Sequence, residues 1–357
     1  MDTFPIPARS LERYFKVDGR NLERCYKNHL SGFPEWEQLE HASDWILLPD
    51  NMGEYLSIDE SMHGKDLFTF LSNKDGHGKR GTLIAAVRGT KAEDVSKQLM
   101  GIPQEKREAV KEVTMDFSNS MQSIVERCFP NAMIVIDCFH IIKRVCDGMD
   151  EMRMRFKRKA TSGQKKEERE FNRKKALRKK ARAYYRKRHP GKRGEKRGRP
   201  RLRTNEKYIP KVLSNGDTEV ELLTRARYIL PKSGDDWSKN QRERAKILFE
   251  LYPKLMEAYS LVCQLRCIFK DRELTKEKAG GKLSKWYKNV SQANIKEIIS
   301  ARDCIKEKEE HVLNFFINRS TNAPAESLNS KMKGFRFELR GVRDLPFYLY
   351  RCCQIFG

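Results

Sequence analysis

From residue 53 the order of apolar and polar positions changes from helical spacing to strands. Glu54–Ile58, Asp66–Leu71 and Thr82–Val87 read as three short strands joined by glycine-rich turns. A helix at about Ala92–Leu99, a strand at Val110–Met115, an amphipathic helix at about Ser120–Cys128 and a strand at Ala132–Ile136 follow. Three turn-linked strands and then strands separated by helices predict a mixed sheet with an antiparallel meander at one side. After Phe139 strand signals nearly vanish. Helical spacing runs through Ile141–Phe156, and the stretch to about Tyr185 permits a helix. Gly191–Pro200 reads as loop, because it holds three glycines and a proline. Helices resume at about Glu219–Tyr228, Asn240–Phe269 (interrupted near Pro253), Leu283–Val290 and Ile295–Phe316, and a last one starts near Asn322. Ahead of the strands, residues 9–31 read as two short helices about the Val17-Asp18-Gly19 turn, with Leu11, Phe15, Leu22 and Tyr26 at helical spacing. A DNA-reading helix-turn-helix and an ordinary helical hairpin both fit; pattern alone favours the hairpin.

Charge changes the picture in one place. The 357 residues carry a net charge of +24. Residues 153–203 hold 25 Lys and Arg against 4 Asp and Glu, which leaves only +3 for all the rest. Basicity confined to one segment points to a dedicated polyanion contact rather than general surface charging. Lys174, Lys175, Lys179, Lys180, Arg186, Lys187 and Arg188 are its candidate DNA contacts, with Arg197 and Arg199 in the following loop. The loop run Lys196-Arg197-Gly198-Arg199-Pro200-Arg201 resembles an AT-hook core, which inserts arginines into a narrow minor groove. A basic linker contacting phosphates without sequence preference fits equally well.

Other chemistry is disfavoured. The nine cysteines form no C-x-x-C pair and the histidines show no ligand spacing with them, so reduced thiols in an intracellular protein are expected rather than a zinc site. No secretory signal pattern and no membrane-length apolar run occurs, so a cytoplasmic, nucleoid-associated protein with no membrane partner is expected. Gly76-His77-Gly78-Lys79-Arg80-Gly81 matches a dinucleotide fingerprint, but a strand follows it where a helix is needed, so it reads as a turn.

Three acids stand out. Asp59 and Asp116 close predicted strands, and Glu326 lies in the first turn of the helix T-N-A-P-A-E-S-L-N-S-K-M-K. Carboxylate oxygens suit Mg²⁺ or Mn²⁺, and two such ions can stabilise both oxygens of a phosphodiester displacement. Singly, each acid has a plainer reading: Asp59 as a solvated strand end, Asp116 as a helix cap. Asn322, Glu326, Asn329 and Lys333 fall on one helix face, with Asn322 or Ser320 as the expected cap. Asp137 and His140 follow the strand at Ala132–Ile136 and suit a supporting role, Asp137 being the alternative to Asp116 as second metal ligand.

The blocks Y-L-S-I-D-E-S, V-T-M-D-F-S-N-S-M, F-P-N-A-M-I-V-I-D-C-F-H-I-I-K and R-S-T-N-A-P-A-E-S-L-N-S-K-M-K-G-F resemble bacterial insertion-sequence transposases of the DDE superfamily, nearest the IS-L-three group. The resemblance covers roughly residues 50–150 and 310–357. It implies an α/β, ribonuclease-H-like fold: a mixed five-stranded sheet interrupted by a large, mostly helical insertion. It also implies that Asp59, Asp116 and Glu326 bind two Mg²⁺ (or Mn²⁺) ions. Cys138 stands where that group has an arginine. The implied organisation is an N-terminal helical arm over 1–50, a first part of the core over 51–145, an insertion over 146–317 and a closing helix over 318–357. The expected activity is cutting at element ends and joining them to target DNA. Double-stranded DNA, further copies of the chain and a separate end-recognition polypeptide are the expected partners. A catalytically silent DNA-binding protein and a nuclease without strand transfer are the alternatives.

Overall fold

The computed structural model describes residues 1–189, 206–340 and 344–357, apart from the Arg186 side chain. These form two compact units: residues 1–142, 268–283 and 304–357 in the first, 143–267 and 284–303 in the second.

The first unit is built on one mixed sheet. Its strands are β1 (Trp45–Leu47), β2 (Tyr55–His63), β3 (Asp66–Asn73), β4 (Leu83–Arg88), β5 (Glu112–Met115) and β6 (Met133–Ile136), in the order β1-β4-β3-β2-β5-β6. The meander β2-β3-β4 is antiparallel, whereas β5 and β6 run parallel to β2. Five strands were expected and the sheet has six among the described residues. The extra one, β1, is a three-residue edge strand on β4, too short for alternation to reveal. The Gln38 side chain pairs with both the N–H and the carbonyl of Leu47 at 2.8 Å, so tertiary contact rather than propensity makes it a strand.

Two amphipathic helices, Ala92–Leu99 and Asn119–Cys128, supply crossovers of the parallel part. The helix Ala323–Glu338 lies along the sheet. Its Ala325, Leu328, Met332 and Phe335 recur at helical spacing and are buried. The last three join Phe68, Phe70, Leu83 and Tyr348 in a core cluster. Each such side chain contributes roughly 1.5–3 kcal/mol of apolar burial, which is what holds this helix down. The turn after β3 contains the glycine-rich run; His77, Gly78 and Gly81 have positive φ there, and β4 follows directly.

At the N-terminus, helices Arg9–Phe15 and Gly19–Cys25 flank the expected turn, with the Asp18 side chain capping the second. Of the four apolar residues at helical spacing only Tyr26 is buried, in an aromatic cluster with Phe33, Phe347 and Tyr350; Phe15 is exposed.

The second unit is helical. The helix Cys138–Arg188, which begins in the first unit, runs for 51 residues, longer than the spacing signal over Ile141–Phe156. Helix Glu219–Arg225 opens with a full capping box, and Pro253 separates Lys239–Leu251 from Pro253–Lys270.

Candidate functional site

Asp59 lies inside β2 rather than at its end, because β2 continues to His63. Asp116 is the first residue after β5. β2 and β5 are parallel neighbours with Ile58 opposite Met115, so the two aspartates emerge side by side. Asp116 does not cap the next helix; the Ser118 side chain does, by accepting from the Met121 N–H. Asp116 instead meets two partners: the Asn322 amide donates to its Oδ1 at 3.0 Å, and His140 Nε2 lies 3.1 Å from the same oxygen. The imidazole therefore presents its Nε2–H to the carboxylate. Asp59 accepts the Glu60 N–H at 2.8 Å and the Asn329 amide at 2.6 Å.

Burial raises the pKa of both acids to about 6. The Asp116 charge adds to the rise at Asp59, and the charges of Asp137, Glu326 and Glu60 add to it at Asp116. Glu60 itself is pushed upward by burial and by Asp59. Like charges gathered in a half-buried place disfavour ionisation unless a cation arrives.

Asn322 occupies the cap position of its helix without capping it. Its side-chain amide is diverted to Asp116 and to the Ile58 carbonyl, at 3.0 and 3.3 Å. Asn322 and Asn329 are buried, and the Oδ1 of each has no hydrogen-bond partner. Glu326 lies between them on the same face and is exposed. Lys333, one turn beyond Asn329, is exposed too. Among the described residues, no three His, Cys, Asp or Glu side chains stand close enough to cage a metal ion.

Asp137 is placed differently from Asp116. It is 3% exposed, and both its oxygens are used: Oδ1 by the Phe139 N–H at 2.9 Å, Oδ2 by the Asn322 N–H at 2.8 Å. It caps the long helix and docks the start of the Glu326 helix. The neighbouring Cys138 thiol is pushed up to about 12 by burial and by the Asp137 charge.

Sequence reasoning passed over Glu112, which is buried, and Lys74, which is half-buried and pairs with it at 2.7 Å. The signal was available as the alternation Glu112, Thr114, which puts two polar side chains on one face of a short strand just ahead of Asp116.

Of the basic candidates, Lys174, Lys179, Lys180, Lys187 and Arg188 are exposed on the long helix, and Arg188 stacks 4.9 Å from the Tyr184 ring centroid. Lys175 is half-buried and donates to the Glu206 carbonyl at 2.7 Å. Arg197, Arg199 and the Arg186 side chain lie outside the described residues. No helix among the described residues is long and apolar enough to cross a membrane.

Fold and site together define an α/β protein whose anionic site forms where adjacent parallel strands meet a polar helix face. A family model described as Transposase, of the DDE class and the ISL3 group, matches residues 56–352, and the chain belongs to that family. No curated protein and no solved structure matches it.

Proposed function

We propose that this transposase cuts DNA at the ends of an insertion sequence and joins them to target DNA, with Asp59, Asp116 and Glu326 as its acids. The observation that carries the reading is the side-by-side placement of Asp59 and Asp116, each held by one asparagine of the helix that bears Glu326. The order of strands β2 to β6, three antiparallel and then two parallel, supports a ribonuclease-H-like core.

The two aspartates suit a hard divalent ion, although Glu326 stands exposed and does not close a three-acid cage with them. Both aspartates carry raised pKa values, which a cation would reverse, and two buried amide oxygens lack partners. Asp59 and Asp116 would hold Mg²⁺ or Mn²⁺, and Glu326 would complete the set. Bound there, two ions supply charge stabilisation at the attacking and leaving oxygens of a phosphodiester displacement. The protein's own part is positional. His140 and Asn322 fix the Asp116 carboxylate, Asn329 fixes Asp59, and Asp137 spends its oxygens on backbone N–H groups, which favours Asp116 over Asp137 as the second acid. The exposed basic stretch of the long helix supports a DNA-backbone contact. Transposon ends and target DNA are the proposed substrates, worked on by more than one copy of the chain, with a separate polypeptide aiding end recognition.

Strand cleavage and strand transfer are measured separately, the latter with pre-cut ends. Glu326→Gln and Asp59→Asn abolish both reactions while DNA binding persists. Unchanged cleavage in both variants refutes the assignment, and cleavage without any joining identifies a nuclease.

A further inference from the structure

Glu112 is completely buried at the start of β5, on the same face as Thr114. Its carboxylate receives the Lys74 ammonium at 2.7 Å on one oxygen and the Asn318 amide at 2.9 Å on the other, and Ser320 hydrogen-bonds to it as well. Burial raises its pKa, but these three donors more than offset that and hold it below the usual carboxylate range. Lys74 also donates to the Thr114 hydroxyl, and it feels the charge of Asp137.

A buried ion pair adds little net stability, because desolvation cancels much of the attraction. What this pair touches suggests another use. Asn318 ends helix Glu309–Asn318, and Ser320 belongs to the short segment joining it to the Glu326 helix. That segment turns sharply at Arg319, which has a φ of 55° and donates to the carbonyls of Asp271 and Leu274 at 2.7 and 2.8 Å. It ends at Asn322, whose N–H reaches Asp137. Side chains rather than regular structure set its path.

We infer that Glu112 and Lys74 are positioning residues: the pair, buried at its carboxylate end, anchors the segment 318–322 to β5 and so sets where the helix bearing Glu326 begins over Asp59 and Asp116. Without the Glu112 carboxylate, Asn318 and Ser320 lose their acceptor and Lys74 is left as an uncompensated, half-buried cation. Asp137 then becomes its counter-ion, in competition with the Asn322 N–H. This deepens the proposed function, since it takes Glu326 as the third acid.

The test compares wild type, Glu112→Gln, Lys74→Met and the double variant, using full-length protein. Amide hydrogen exchange is followed without metal, and Mn²⁺ affinity is measured by calorimetry. Glu112→Gln should speed exchange at residues 318–326 about tenfold and weaken Mn²⁺ binding about tenfold, leaving β2 and β3 protected. The double variant should recover much of both, because no unpaired charge remains. Exchange and Mn²⁺ affinity within twofold of wild type overturn the inference. So does a loss of protection spread evenly over the sheet, which marks a purely structural pair. If Glu112→Gln fails to fold, Asn318→Ala removes one donor and is judged by the same two readouts. Should Glu326→Gln still cut DNA, the functional reading fails, while the exchange data still decide whether the pair anchors the segment.

Discussion

The Asn329 side-chain amide donates to Asp59 Oδ2 at 2.6 Å, joining residues 270 positions apart. Seven residues earlier on the same helix, Asn322 does the same for Asp116 at 3.0 Å. One helix face thus addresses both aspartates, with Glu326 midway between the two asparagines.

Replacing Asn329 tests how much that contact matters. A hydrogen bond to a charged acceptor is worth about 1.5–3 kcal/mol. Asn329→Ala frees the Asp59 carboxylate to rotate and raises its pKa further. Cleavage should fall about tenfold or more, and the Mg²⁺ concentration for half-maximal rate should rise. Initial rates across a Mg²⁺ titration check this; an unchanged titration midpoint refutes it.

The raised pKa values of Asp59 and Asp116 make a stability prediction with a definite sign. Both titrate at about 6 when folded, above the ordinary value of about 4 when unfolded. Between those values the folded protein binds more protons, so metal-free stability falls as pH rises through that window and stays low above it. Asp116→Asn keeps an oxygen for Asn322 and His140 and removes the charge. At pH 7.5 without metal it should stabilise the fold by about 2 kcal/mol, read as a higher melting temperature, and it should abolish cleavage. A lower melting temperature contradicts the argument.

His63 works in the opposite direction. Burial, together with Lys333 and Arg336, depresses its pKa to about 4, and its Nδ1 lies 3.1 Å from the Tyr348 hydroxyl. Its folded pKa is below the unfolded value of about 6.5, so its contribution is present above pH 6.5 and is lost as pH falls toward 4. His63→Phe should shift the midpoint of acid unfolding, followed by circular dichroism, to lower pH. A midpoint at the same pH or higher excludes His63 as the trigger.

The basic stretch of the long helix is tested by salt. Changing Lys174, Lys179, Lys180 and Lys187 together to Gln should make the slope of log K against log salt shallower by about 3–4, since each phosphate contact contributes about 0.9. An unaltered slope places the DNA elsewhere.

Much of the architecture was legible from local pattern. The meander over Glu54–Val87 and the strands ending at Met115 and Ile136 were readable because apolar alternation and glycine turns act over a few residues. β1 was not, since it depends on Gln38 and β4. Nor was the end of β2: the polar Asp59 and Glu60 read as a strand terminus, yet pairing with β3 continues to His63 opposite Asp66. Asn322 or Ser320 was expected as the cap, and the tertiary contact with Asp116 takes the Asn322 side chain away from that role.

By itself the chain's order of residues determined where most strands and helices form, that its positive charge gathers in residues 153–203, and which polar side chains share a helix face. These are short-range matters of period, turn chemistry and charge. Only the tertiary structure decided that Asp59 and Asp116 emerge together, that Asp137 has both oxygens engaged by backbone, and that Glu112 lies buried against Lys74 and Asn318. Such meetings depend on strand order and register, across 38 positions for Lys74 with Glu112 and 206 for Asn318 with Glu112 and for Asn322 with Asp116, which no local pattern encodes.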